Sequence, residues 1–181
     1  MPNAESLEVL YSEEVIAERI RVLGAEITQN YQGKELILVC VLKGAFPFLA
    51  DLCRAIDMDV RIEFLGVSSY GAGTKSTGVV RITQDLAHPI KDKHVLLIED
   101  IVDTGLTLRY ILDNLTTRNP SSIGICTLLD KPANRRVEVE VDYSGFTIPD
   151  HFVIGYGMDL AESYRNLPYI GYFPPETLGN D

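Results

Sequence analysis

Val95 to Leu108 reads VLLIEDIVDTGLTL. Four apolar residues, Val95, Leu96, Leu97 and Ile98, open it. Such a run marks a strand covered on both faces, as in a parallel sheet. Two adjacent acids follow, Glu99 and Asp100, then two apolar residues, then Asp103-Thr104-Gly105 and Thr107, and then a helical pattern. Acids at the end of a buried strand are costly unless something binds them. In an open α/β sheet, ligands bind outside the carboxyl ends of the strands. Small hydroxyl residues and a glycine at a strand-to-helix turn expose backbone N–H groups that suit a phosphate. The stretch therefore offers carboxylates for a polyol or a metal, and a cradle for an anion.

The flanking sequence supplies the rest of a sheet. Ser12 to Asn30 has helical spacing, with Ser12 suited to the N-cap, Glu13 and Glu14 to the first turn, and Ile16, Ile20, Leu23 and Ile27 on one face. Glu35 to Leu42 is apolar and β-branched and predicts a buried strand that stops at Lys43-Gly44. Ala45 to Ile56 predicts a helix, with Pro47 tolerated in its first turn. Arg61 to Val67 and Val79 to Thr83 predict strands on either side of Ser68 to Gly78, SSYGAGTKSTG. That stretch has three glycines, five Ser or Thr residues and no apolar periodicity. A loop of this length inside a compact domain suits a lid. Lys93 to Ile98 predicts the opening strand and Thr104 to Arg118 its helix, with Leu108, Ile111, Leu112 and Leu115 on one face. Ile123 to Leu129 predicts a further buried strand ending at Asp130-Lys131-Pro132. HFVIGYG, 151–157, and Tyr169 to Phe173 predict the last two. Strands alternating with helices imply a mostly parallel, right-handed α/β sheet.

The 181 residues, 46% of them hydrophobic and 23% charged, suit one domain with a sizeable core. A formal net charge of −10 argues against a general nucleic-acid or anionic-membrane surface, while leaving room for a local basic pocket. Cys40, Cys53 and Cys126 match no metal spacing and read as free thiols in a reducing compartment. No basic-plus-apolar leader follows Met1 and no apolar run is long enough to span a membrane, so the expected location is cytoplasmic.

Several predicted strands end in polar residues: Lys43, the two acids, Lys131 and Asp159. In a parallel sheet those ends share one rim, where they describe a cleft for a substrate that is polyanionic, metal-bound and rich in hydroxyls. No G-x-G-x-x-G follows a strand and no G-x-x-x-x-G-K-[ST] is present. His88, His94 and His151 are scattered and read as satisfied or solvent-facing side chains.

Val95–Leu108 resembles the signature of the type I phosphoribosyltransferases, which bind 5-phosphoribosyl-1-pyrophosphate (PRPP): apolar residues, two acids, two apolar residues, Asp-Thr-Gly and a nearby Thr. From about Leu7 to Phe173 the chain is similar to the hypoxanthine-guanine branch, through Leu42-Lys43-Gly44, Ser68-Ser69-Tyr70, Leu128-Leu129-Asp130-Lys131, Ile148-Pro149-Asp150, Phe152 to Tyr156, Asp159 and Arg165. The resemblance implies the type I fold, a mostly parallel central sheet flanked by helices. It also implies a small hood over the C-terminal strand ends, formed by the N- and C-terminal segments.

By the same resemblance, Glu99 and Asp100 hold the ribose hydroxyls. Asp103, Thr104, Gly105, Leu106 and Thr107 surround the 5-phosphate. Many relatives carry a lysine where this chain has Leu106, so a side-chain charge is missing there. Asp103 is the implied general base toward purine N7, with a helix N-cap as its structural alternative. Lys131 donates to a purine 6-oxo group, Phe152 stacks on the base with ordinary core as its alternative, and Val153 meets the base edge. Lys43, Gly44 and Arg165 meet pyrophosphate. Glu99, Asp100 and Asp159 are the implied Mg²⁺ carboxylates, Glu99 and Asp100 by way of the ribose diol and Asp159 beside a second Mg²⁺ and near the purine, and Ser69 and Tyr70 belong to the lid. The implied partners are PRPP and a 6-oxopurine, in a homodimer or homotetramer, with no nucleic acid and no membrane.

Two other readings remain open on sequence alone. One is a regulator on the same fold that senses PRPP or binds RNA, which the acidic balance and the joint presence of the lid, Lys131 and Asp103 disfavour. The other is a phospho-accepting receiver domain. It would need an acid pair near the first strand, where this chain has Lys43.

Overall fold

Six strands form the central sheet of this computed structural model, which describes residues 7–69 and 80–174. In chain order these are β2 (Leu36–Leu42), β3 (Val60–Ser69), β4 (Val80–Gln84), β5 (His94–Val102), β6 (Ser122–Asp130) and β7 (Tyr143–Thr147). Their spatial order is β4-β3-β2-β5-β6-β7. Every neighbouring pair is parallel except β3 and β4, which are antiparallel. β2 and β5 lie in the middle, which is why their apolar residues run without alternation. Leu38, Cys40, Leu96 and Ile98 enter one core, and Val39, Val41, Val95 and Leu97 enter the other.

Helices α1 (Glu13–Tyr31) and α2 (Phe46–Ala55) cover the first face, and α3 (Leu106–Thr116) covers the second. Ser12 caps α1 as its sequence predicts, accepting from the Val15 N–H at 3.5 Å. Ile16, Ile20, Leu23 and Ile27 form the buried stripe of α1, and Leu108, Ile111 and Leu115 that of α3.

A second sheet of three short strands joins the chain's two ends. β1 (Glu8–Tyr11) pairs with β9 (Ile170–Tyr172), which pairs with β8 (Val153–Ile154), both antiparallel. β1 and β7 have no counterpart among the predicted strands. β1 is half-exposed, and neither shows the apolar run of a central strand. The HFVIGYG segment is less regular than its composition suggests. Only Val153 and Ile154 pair, after which Gly155 and Met158 close a turn through two backbone bonds. No helix among the described residues is long and apolar enough to cross a membrane.

Candidate active site

Strand β5 does not stop at Ile98. Its pairing with β6 continues through Glu99 with Thr127, Ile101 with Leu129 and Val102 with Asp130, so both acids lie inside the sheet. Consecutive strand residues face opposite sides, and this separates the two carboxylates. Glu99, 7% exposed, lines a cavity of about 100 Å³ with Asp103, Thr104, Gly105 and Thr107. Asp100 lines a cavity of about 210 Å³ with Asp103, Lys131, Phe152, Val153, Met158 and Asp159. Asp103 borders both. Burial pushes the Glu99 carboxyl well above its ordinary range, and the Asp100 carboxylate beside it acts the same way. Burial also pushes Asp100 up to about 6, against the opposing pull of the Ile101 N–H at 2.9 Å and of the Arg165 charge.

Of the implied Mg²⁺ carboxylates, Glu99 lines the smaller cavity, and Asp100 and Asp159 share the larger one. Among the described residues, no group of three His, Cys, Asp or Glu gathers as a metal site. Strand alternation is the reason, since it turns Glu99 away from the cavity that Asp100 and Asp159 share. Two hard carboxylates remain there. That donor set suits Mg²⁺, which takes one or two protein carboxylates and completes its shell with phosphate oxygens and water.

The turn after β5 is held by Gly105. Its φ of 82° is the left-handed conformation that favours glycine, and Gly105 rather than Asp103 is the N-cap of α3. The helix thus begins at Leu106, two residues later than its sequence pattern predicts, and Asp103 is free of a capping role. Leu106 donates its N–H to Thr104 Oγ1 at 3.5 Å. The smaller cavity lies at the N-terminus of α3, where first-turn N–H groups lack intrahelical acceptors and favour an anion. Asp103 Oδ1 is buried, and no hydrogen-bond partner reaches it among the described residues. A buried acceptor without a donor is uncommon and costly.

On the other side of Asp103, Lys131 is 6% exposed and its Nζ lies 3.3 Å from Asp150 Oδ1. Asn134 Nδ2 donates to the same oxygen at 2.8 Å. Phe152 is 45% exposed at the edge of the larger cavity, which rules out its core alternative. The small β1-β9-β8 sheet, the hood of this fold, fixes it there. Val153 pairs with Tyr172, and the His151 ring stacks on Tyr172 at 4.5 Å.

Lys43 and Gly44 follow β2, after a cis Leu42–Lys43 peptide. A Cβ at Gly44 would overlap the Asp100 carboxylate, which would have to move aside for any larger residue. Arg165 Nη2 lies 2.8 Å from Asp159 Oδ1, and its Nη1 donates to the Gly157 carbonyl at 2.8 Å. Both cations also meet a residue outside the expected set. Glu162 lies 2.8 Å from Lys43 Nζ and 3.4 Å from Arg165 Nη2. Asp159, Glu162 and Arg165 come from the turns that follow β8, with Ala161, Glu162 and Tyr164 at positive φ, rather than from an end of the main sheet. No periodic signal marks such turns. Only the spacing of Asp159, Glu162 and Arg165, three residues apart each time, hinted that one turn could gather them. Arg135, also absent from the expected set, reaches the carbonyls of Val102 and Asp103. Of the expected lid, Ser69 is the last described residue of β3, and Tyr70 lies outside the described residues.

The phosphoribosyl transferase domain family matches residues 6–161. The chain is 50% identical over 173 residues to a hypoxanthine-guanine phosphoribosyltransferase of Streptococcus pneumoniae, covering 96% of each. It is 53% identical over 168 residues to a hypoxanthine phosphoribosyltransferase of Haemophilus influenzae, covering 91% of this chain and 94% of that one. A crystal structure of a hypoxanthine phosphoribosyltransferase from Staphylococcus aureus matches with a TM-score of 0.92 at 50% identity, covering 97% of this chain and 96% of that one. The rim at the ends of β2, β5 and β6 and this likeness over nearly the whole length lead to one conclusion: the chain belongs to the hypoxanthine-guanine phosphoribosyltransferases of the phosphoribosyl transferase domain family.

Proposed function

We propose that this chain transfers the 5-phosphoribosyl group of PRPP to N9 of a 6-oxopurine, hypoxanthine or guanine, in purine salvage. The products are IMP or GMP and pyrophosphate. The observation that carries this reading is the place of Asp103, which borders a small cavity at a helix N-terminus on one side and a larger one holding Lys131 and Phe152 on the other. The first suits the 5-phosphate and the second a flat base with an acceptor at position 6.

The bond from N9 to the anomeric carbon forms as the bond from that carbon to pyrophosphate breaks, and the N7 proton leaves. Asp103 Oδ1, a buried acceptor without a donor among the described residues, is suited to take that proton. Lys131 holds the 6-oxo oxygen through Nζ. An adenine 6-amino group would set donor against donor there. Phe152 stacks on the ring, and the Val153 backbone meets its edge. Glu99 and Asp100 accept from the ribose hydroxyls, while Thr104, Gly105, Leu106 and Thr107 hold the 5-phosphate. Lys43, Gly44 and Arg165 stabilise the charge that develops on the departing pyrophosphate. Asp100 and Asp159 would hold Mg²⁺. When bound it supplies charge neutralisation to the pyrophosphate oxygens. Positioning and charge stabilisation are then the protein's main contributions.

The chain is proposed to act as one domain and as a cytoplasmic homodimer or homotetramer, and all of the expected lid over residues 68–78 but Ser68 and Ser69 lies outside the described residues. Light scattering after size exclusion reads the subunit number. The activity test offers hypoxanthine, guanine, xanthine and adenine separately to purified protein with Mg²⁺ and PRPP, following nucleotide formation by absorbance. Turnover with the 6-oxopurines is expected. No turnover with any base would remove the enzyme reading, and turnover with adenine alone would remove the role of Lys131.

A further inference from the structure

Asp103 is held by its backbone rather than by its carboxylate. Oδ1 has no hydrogen-bond partner among the described residues, and the α3 cap is Gly105. The ladder between β5 and β6 ends at Val102 and Asp130. Just past that point the two segments are tied by the Lys131 N–H to the Val102 carbonyl at 2.9 Å, by the Arg136 and Val137 N–H groups to the Thr104 carbonyl at 2.9 and 3.4 Å, and by a side chain. That side chain is Arg135. Its Nη1 donates to the Val102 carbonyl at 2.7 Å and to the Asp103 carbonyl, and its Nη2 pairs with Asp130. Both partners of the pair are nearly buried, Arg135 at 16% and Asp130 at 15% side-chain exposure.

We propose that Arg135 is a positioning residue: by clamping the Val102 and Asp103 carbonyls against Asp130, it aims the Asp103 carboxylate at the purine held by Lys131. The proposal rests on Asp103 acting as the base. A planar guanidinium can serve a carboxylate and two carbonyls at once, because its donors form a rigid fork. A lysine at this position keeps the charge but has a single nitrogen on a flexible stem. It would leave the peptide after Asp103 able to rotate. Arg135 also follows Lys131 by four residues, so one short segment carries both the base-recognising cation and the clamp. Recognition of the 6-oxo group and placement of the proton acceptor are therefore set by the same turn.

A double-mutant cycle of Arg135→Lys and Asp103→Asn tests this, with steady-state kinetics on PRPP, Mg²⁺ and hypoxanthine. Arg135→Lys is expected to lower kcat about 10- to 100-fold, in the range that small misplacements of reacting groups produce, with KM for hypoxanthine little changed. In the Asp103→Asn background the same substitution should lower kcat less than about threefold, because two residues acting through one group are not additive. Circular dichroism and thermal melts establish that each variant is folded. Multiplying effects would overturn the proposal, since they would place Arg135 on the whole rim rather than on Asp103. Wild-type kcat in Asp103→Asn alone would instead remove the base reading and the proposal with it. Should Arg135→Lys fail to fold, Asp130→Asn takes its place. It keeps the carbonyl contacts but loosens the guanidinium, and its smaller loss of kcat must show the same non-additivity for the proposal to stand.

Discussion

At the scale of single residues, the proposed mechanism divides the chemistry between Asp103 and Lys131. A general base contributes roughly 10²- to 10⁴-fold to kcat, so Asp103→Asn should lose that much. A kcat near wild type across the pH range would show that the N7 proton leaves by another route. Lys131 is buried with Asp150 as its anionic partner. A hydrogen bond to a charged group contributes roughly 1.5–3 kcal/mol, which corresponds to a roughly 10- to 150-fold change in kcat/KM. Lys131→Met, which keeps the apolar stem, should cost hypoxanthine about that factor while adenine gains relative to it. Competition assays with the two bases measure the ratio. The residue types at both positions were readable, since nothing in a sheet requires acids and lysines together at several strand ends. Their environment was not. That Asp103 lacks a capping role follows from Gly105 taking the left-handed conformation, and that Phe152 is exposed follows from the hood holding it off the core.

At the scale of elements, two turns decide the pyrophosphate side. The turn after β2 brings Gly44 against Asp100, and the turns after β8 bring Glu162 onto Lys43 and Arg165. Glu162 therefore engages the two cations that pyrophosphate would use. Its contact with Lys43 is exposed on both sides, 66% and 68%, so its strength is limited. Exposed pairs contribute about 0.2–1 kcal/mol. Glu162→Gln should accordingly tighten pyrophosphate binding no more than about fivefold. Calorimetric titration reads the change, and weaker binding in the variant would mean that Glu162 supports the site instead of competing for it. The helical stripes of α1 and α3 were legible because burial of one face imposes their spacing. The turns at 155–165 were not, since neither period 2 nor period 3.6 marks them.

Across the whole molecule, the site sits at a cost to the fold. Burial raises both Glu99 and Asp100, so the folded chain prefers their neutral forms. An acid with a raised folded pKa binds its proton more tightly when folded, so the contribution of Asp100 to stability falls as pH rises between the ordinary carboxylate range and about 6, and levels off above it. Partial exposure of Asp100 screens the effect to roughly 1–3 kcal/mol. Asp100→Asn keeps an acceptor for the Ile101 N–H and removes the charge. It should raise the melting temperature of the ligand-free protein above pH 6 by roughly 2–8 °C, with the gap closing toward pH 4, while catalysis falls. Equal melting temperatures of the two proteins at every pH would show that the charge is not a burden. The amino-acid sequence by itself determined the parallel α/β class, the central strand, the lysines and acids on one rim and the family resemblance. These depend on local periodicity and on residue chemistry at strand ends, both carried by neighbouring positions. Only the tertiary structure decided that Glu99 and Asp100 serve opposite cavities, that Gly105 caps α3, and that Glu162 and Arg135 join the site. Those facts depend on strand register and on turns distant in sequence, so they exist only once β5, β6 and the hood are packed together.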